Sequence, residues 1–311
     1  MRIGLVLGGG GVVGAAWMIG ALQALEEDTG FHAEQATRVL GTSAGALVGA
    51  LAAVGVPPSE MHEYATGTAD SLIGSFRGSF RGASRSLAFG SPRLAAAMLR
   101  EQRDRSVAAL VMGLLPRGVV NTEPIHKLVE RIVGVGWPQS PSLRVVACDY
   151  ASGQRVTFGS DWAPQSSVGA AVAASCAIPA FFRPVQIAQR DYIDGGIHSH
   201  SNLDMIARED LDLVICLSPM SSRATTRSTT MLERIHAARR RRASVALAAE
   251  ASLLECRGTR LVILQPDLED LQAMGANPMA RDRAERVITT ARRTARRALD
   301  GLTLAPALVT S

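Results

Sequence analysis

The chain has 311 residues, a net charge of +5, and 47% hydrophobic against 20% charged residues, the proportions of a packed globular protein, not of a disordered or collagen-like one. Lys127 is its one lysine and lies in no glycine-rich loop, which excludes a P-loop. Cys148, Cys176, Cys216 and Cys256 form no C-x-x-C, which excludes zinc ribbons and thioredoxin-type sites and, at this length, argues against a disulfide scaffold.

Residues 3–25 carry no charge, a length that fits a membrane span or, after Arg2, a signal peptide. Gly8, Gly9, Gly10 and Gly11 break the stretch, since each glycine costs a helix about 1 kcal/mol relative to alanine. The pattern predicts a buried strand over 2–7, a glycine loop and a helix over 13–27. A second strand ends near Leu40, followed by a tight turn and a helix over 44–54. Residues 60–118 differ in character. They hold the tandem repeat Ser-Phe-Arg-Gly-Ser-Phe-Arg-Gly at 75–82 and helical stretches over 92–115, and read as an inserted helical region or lid. Further helices are predicted over 121–133 and 167–174, and strands over 144–149, 155–158, 192–194, 212–217 and 260–265. Long helices are predicted over 228–255 and 280–299. Alternating strands and helices argue for a mostly parallel sheet covered on both faces. No linker or array repeat divides it, so one domain over 1–311 is expected, in a soluble, cytoplasmic protein.

Three constellations carry chemistry. Gly41-Thr-Ser43-Ala-Gly45 matches G-x-S-x-G between an apolar run and a small-residue helix, the strand–turn–helix setting of a nucleophile elbow. Such a turn places the Ser43 hydroxyl at a helix N-terminus, where partial positive charge favours an oxyanion. Gly8 to Gly11, with Gly14, closes the first strand–helix turn, and its amides can converge on an anion. That anion is either the oxyanion of an acyl intermediate or a dinucleotide phosphate. Gly9 to Gly14 satisfies G-x-G-x-x-G, and Glu34 stands at a plausible distance for a ribose contact. Third, Asp194-Gly195-Gly196 ends a strand. Its carboxylate can take a proton from Ser43, or the motif is a plain turn.

Serine nucleophiles usually have an imidazole base. His198 and His200 follow Asp194 in a polar run. A triad with one of them stays open, but an exposed loop is the better reading. Without histidine, Asp194 must act alone, and an exposed aspartate near pKa 3.9 is a poor base. The dyad therefore requires a buried carboxylate with a raised pKa and a strong oxyanion hole.

These motifs, in this order, resemble those of the patatin-like phospholipase family. To them is added Ala174-Ser-Cys-Ala-Ile-Pro179, similar to the family's A-S-x-x-x-P, with Phe182-Arg-Pro-Val185 after it. Coverage runs from about 2 to 217, and the segment 225–311 reads as a helical extension without a diagnostic motif. The resemblance implies a three-layer α/β/α fold and lipid acyl hydrolysis through an acyl-serine. It makes Ser43 the nucleophile, Asp194 the base that later activates water, and the Gly9, Gly10 and Gly11 amides the oxyanion hole. It implies no metal and no organic cofactor. Two departures stand out. Val13 occupies a position where the family usually has Arg or Lys, and Ser201-Asn202-Leu203 replaces its Asn-x-Pro.

The arginine block 239–242 and the arginines over 281–297 read as solvated helix faces, with docking on anionic phospholipid as the functional option. Phe76 and Phe80 offer a further membrane contact. Nucleic acid is not expected, because no aromatics interleave with the arginines. Three alternatives to the hydrolase are a serine acyltransferase on the same dyad, an oxidoreductase holding a dinucleotide on Gly9 to Gly14, and an inactive lipid-binding member.

Overall fold

Short runs rich in Val, Leu and Ile become the strands, since such side chains pack well on a pleated, covered surface. A computed structural model describes residues 1–67, 118–224 and 231–300. The strands are β1 (Ile3–Leu7), β2 (Arg38–Thr42), β3 (Ser142–Asp149), β4 (Arg155–Phe158), β5 (Val185–Ile187), β6 (Arg190–Asp194), β7 (Leu213–Leu217) and β8 (Arg260–Leu264). They form one sheet in the order β5-β6-β3-β2-β1-β7-β8, with β4 also on β3. β3, β2, β1, β7 and β8 run parallel, while β4, β5 and β6 are antiparallel to their neighbours. The tandem repeat at 75–82, the helical stretches over 92–115 and the first residues of the helix predicted over 228–255 lie outside the described residues.

Alternate strand residues face opposite layers. Leu5, Leu7, Val39, Val145 and Ile215 point into the larger core, and Val6, Leu40, Val146, Val214 and Cys216 into the smaller one. The larger layer holds α1 (Gly11–Thr29), α2 (Ala44–Ala52), α3 (Pro58–Thr66), α4 (Glu123–Val133), α5 (Val168–Ser175), α7 (Leu268–Met274) and α8 (Ala284–Asp300). The other face is covered by α6 (Met231–Glu255), through Leu247, Ala251 and Leu254, and by a 3-10 turn at Leu203–Ile206. The three-layer expectation therefore holds.

Sequence reading missed α7 and β5 and understated the C-terminal third. That segment is no appended helical extension. β8 is a strand of the central sheet, α6 is most of one layer, and α8 packs along α1. Gly20 permits that last approach, since a Cβ there would stand 2.3 Å from the carbonyl oxygen of Ile288. Of the region read as an insertion, α3 is the described part.

Strand order reverses next to β1, because β2 and β3 lie on one side of it and β7 and β8 on the other. The crevice beyond the carboxyl ends of parallel strands at such a switch point is where α/β folds hold ligands. The glycine loop leaves β1 there and Ser43 leaves β2. Register brings in Asp194: Thr42 pairs with Val146, and Ala147 pairs with Asp194 of β6. Ser43 and Asp194 thus flank β3 at one level.

Candidate active site

Ser43 sits between the end of β2 and the first turn of α2 with φ 54° and ψ −121°. Such a conformation costs a non-glycine residue about 1–3 kcal/mol and persists only where the surroundings enforce it. The flanking glycines show what enforces it. A Cβ at Gly45 would stand 2.0 Å from the carbonyl oxygen of Leu7, and one at Gly41 2.5 Å from the Cα of Ala46. The turn is thus clamped between β1 and α2. Ser175, at the end of α5, locks it from the other side. Its hydroxyl accepts the Ser43 amide at 2.8 Å and donates to the Val146 carbonyl at 2.6 Å.

The Ser43 hydroxyl donates to Oδ2 of Asp194 at 2.7 Å, and Oδ1 of Asp194 accepts the Gly196 amide at 2.7 Å. Both side chains are buried. Desolvation raises the Asp194 carboxyl from 3.8 to about 6, against the opposing pull of the Ser43 and Gly196 hydrogen bonds. That is the direction an unassisted aspartate base requires. Cys176, close by, stays a thiol, because burial and the Asp194 charge push its pKa well up.

The glycine loop is held at its ends. The Gly8 amide donates to Leu217, the Gly9 amide to the His200 carbonyl at 2.7 Å, and the Val13 amide to Pro278. Gly9 therefore cannot serve as the third oxyanion donor in this arrangement. Its role is steric, since a Cβ there would stand 3.3 Å from the Cβ of Ser43. Gly10, with its backbone at the cap of α1, and Gly11, at φ 65°, supply the next two amides. No hydrogen bond among the described residues claims either one, and both lie where the first orphan amides of a helix add to its positive end. Gly14 and Gly10 let Pro219 close against the loop.

The polar run after Asp194 is not the exposed loop expected from sequence. The His200 ring packs against Gly9 and Gly196. Desolvation, followed by the charges of Arg239 and Arg240, lowers its pKa to about 4, so it is neutral at pH 7. His198 contacts the Gly153 carbonyl at 2.8 Å. Sequence reasoning gave Asn202 no role. It is fully buried, and its amide donates to Thr42 Oγ1 at 3.1 Å and to the Gly195 carbonyl at 3.3 Å. It thus ties the elbow to the Asp194 turn despite the missing Asn-x-Pro spacing. Glu34, the proposed ribose ligand, precedes β2 and so lies at the amino edge of the sheet. The glycine loop is at the opposite edge, which removes the dinucleotide geometry.

An apolar cavity opens at Ser43 and runs between α1 and α2 toward α3. Its walls include Ala15, Ile19, Leu47, Leu51, Met61 and Phe182. Apart from Ser43 and Gly11 at its mouth, the lining among the described residues is apolar, which suits a hydrocarbon chain.

The family model described as Patatin-like phospholipase matches residues 5–206. An uncharacterised Bacillus subtilis protein, YqhO, is 29% identical over 67% of this chain and 68% of its own. An uncharacterised NTE family protein of Mycobacterium tuberculosis is 29% identical over 72% of this chain, which spans 50% of that protein's length. Among solved structures, VipD from Legionella pneumophila aligns over 96% of this chain and 67% of its own, at 17% identity and a TM-score of 0.46.

Proposed function

The chain belongs to the patatin-like phospholipase family, and from that premise we propose that it is a lipid acyl hydrolase working through a Ser43–Asp194 dyad. The observation that carries the reading is the 2.7 Å hydrogen bond from Ser43 to a buried aspartate at the mouth of an apolar cavity. An acyl chain lies in the cavity, with its ester carbonyl carbon over Ser43. Asp194 takes the hydroxyl proton as Oγ attacks, and the carbonyl electrons move to the oxygen. The Gly10 and Gly11 amides and the positive end of α1 stabilise that oxyanion. As the tetrahedral intermediate collapses, the C–O bond to the alcohol breaks and Asp194 returns the proton to the leaving oxygen. A water then loses its proton to Asp194 and attacks the acyl-serine. Collapse breaks the bond from the acyl carbon to Oγ, Asp194 returns its proton to Oγ, and the fatty acid leaves with the Ser43 hydroxyl restored.

Fluorophosphonate labelling followed by intact mass measurement tests this on wild type, Ser43→Ala and Asp194→Asn. One adduct is expected on wild type, none on Ser43→Ala and a strongly slowed one on Asp194→Asn. An unlabelled folded wild type, or an adduct that survives in Ser43→Ala, overturns the assignment.

A further inference from the structure

The two arginine-rich helices differ in what their charges do. On α8, Arg292 and Arg296 pair with Glu27 and Asp28, and Arg293 and Arg297 with Glu269 and Asp267. Those arginines hold the helix to its neighbours. On α6, Arg234, Arg239, Arg241 and Arg242 are exposed, and among the described residues no carboxylate pairs with any of them. Large apolar side chains share this surface: Met231 is 74% exposed, Ile235 47% and Val245 66%. At 100° per residue, Met231, Ile235, Arg242 and Val245 form one stripe, flanked by Arg234 and Arg241 on one side and Arg239 on the other. The acidic residues of α6 up to Leu254 are Glu233 and Glu250, and neither is exposed.

This face also has a defined place. β7 ends at the edge of the sheet where Ser43 lies, and α6 returns the chain to the opposite edge to begin β8, so the N-terminal half of α6 is at the active-site end. The Arg240 guanidinium donates to the Pro219 carbonyl at 2.9 Å, and the Ser222 amide to Ser244 Oγ at 3.1 Å. These bonds set α6 level with the strand ends near residues 240–244. Residues 231 to 239 then rise about 13 Å beyond that edge at 1.5 Å per residue. The helix is anchored below as well, where Glu250 accepts from Ser201 Oγ at 2.6 Å and from the Leu203 amide at 2.9 Å.

We propose that this overhang of α6 docks on an anionic lipid surface. Met231 and Ile235 enter the headgroup region, the four arginines meet the phosphates, and the active-site edge of the sheet faces the bilayer. The purpose of such docking rests on the hydrolase reading, but the binding itself does not. Charge selects the occupant. A second copy would bring the same four arginines against these in a two-fold pairing, and a nucleic acid would have no use for exposed aliphatic side chains among them.

Vesicle co-sedimentation tests it, with phosphatidylcholine alone and with phosphatidylcholine containing one third phosphatidylglycerol. Wild type is expected on the anionic vesicles and not on the neutral ones. Since each arginine near such a surface is worth roughly fivefold in affinity, the double change Arg241→Glu and Arg242→Glu should lower partitioning by more than ~25-fold. Ile235→Glu should lower it too. The double change Arg257→Glu and Arg260→Glu, an equal charge change at the far edge of the sheet, should leave it within about twofold. Hydrolysis of a soluble short-chain ester by the same variants should match wild type. Its absence in wild type would count against the hydrolase reading and leave the vesicle result standing. The docking proposal is overturned if wild type ignores lipid charge or binds neither vesicle. It is equally overturned if the double variant binds like wild type, or if the α6 changes abolish a dimer or DNA binding but no vesicle binding.

Discussion

Replacing Asp194 by Asn should make the protein more stable and nearly inactive, with a stability gain that depends on pH. In the folded protein burial raises the Asp194 carboxyl to about 6, from 3.8 in an unstructured chain. Between those values the folded state holds a proton that the unfolded state has lost, so stability falls as pH rises through the window. The span of 2.2 pH units, at about 1.36 kcal/mol each, makes the ionised carboxylate cost about 3 kcal/mol above pH 6. Asparagine is neutral at every pH and keeps both contacts: its oxygen accepts the Gly196 amide, and its NH₂ faces the Ser43 hydroxyl. Urea unfolding of both proteins from pH 4 to 8 should show the variant about 2–3 kcal/mol more stable at pH 8, with the gap closing below pH 4. Loss of the base should lower kcat/KM by at least ~10³-fold, as buried bases contribute. A variant less stable than wild type at pH 8, or a gap equal at pH 4 and pH 8, would refute the argument that burial governs this carboxylate.

The same titration should appear in catalysis: kcat/KM on a soluble ester is expected to fall tenfold per pH unit below about pH 6 and to level off above pH 7. A break near pH 4 would point to a different base. Ser175→Ala strips the acceptor from the buried Ser43 amide and the donor from the Val146 carbonyl. At about 1–3 kcal/mol for each unsatisfied group, urea unfolding should show a loss of about 2–4 kcal/mol, and kcat should fall more than KM changes. Gly45→Ala would put a methyl 2.0 Å from the backbone oxygen of Leu7. Circular dichroism should then find no cooperative native state, because backbone cannot yield as a side chain does.

What was legible in the sequence was local. The glycine loop, G-x-S-x-G and Asp-Gly-Gly each owe their residue types to one tight turn, and a short window contains the whole cause. β5 has three residues and exists through its pairing with β6, which no local pattern reveals. α7 has seven residues, and its Asp267–Asp270 capping box was the signal available for it. Ser175 stood inside the quoted A-S-x-x-x-P match, but its task joins the amide of one distant strand–helix turn to the carbonyl of another strand. His200 looked exposed because its neighbours in sequence are polar, whereas its neighbours in space are Gly9 and Gly196. β8 read correctly as a strand, yet its pairing with β7, which makes the C-terminal third part of the core, is long-range.

That C-terminal third also fixes the glycine loop around position 13. Val13 is buried in the larger core, where a charged side chain is costly unless paired. Its amide is taken by Pro278, the Gly9 amide by His200 and the Gly8 amide by Leu217. The loop is therefore fixed by carbonyl acceptors at both ends, two of them contributed from beyond residue 206, where the family match stops. Pro219 and Pro278 pack on Gly10 and Gly11 respectively, and a proline offers its carbonyl but has no N–H to compete for an anion. The middle amides, at Gly10 and Gly11, are thus held in place without being consumed. The oxyanion hole proposed above would depend on backbone dipoles and the end of α1, worth about half a unit of positive charge, and would keep that charge whatever the pH.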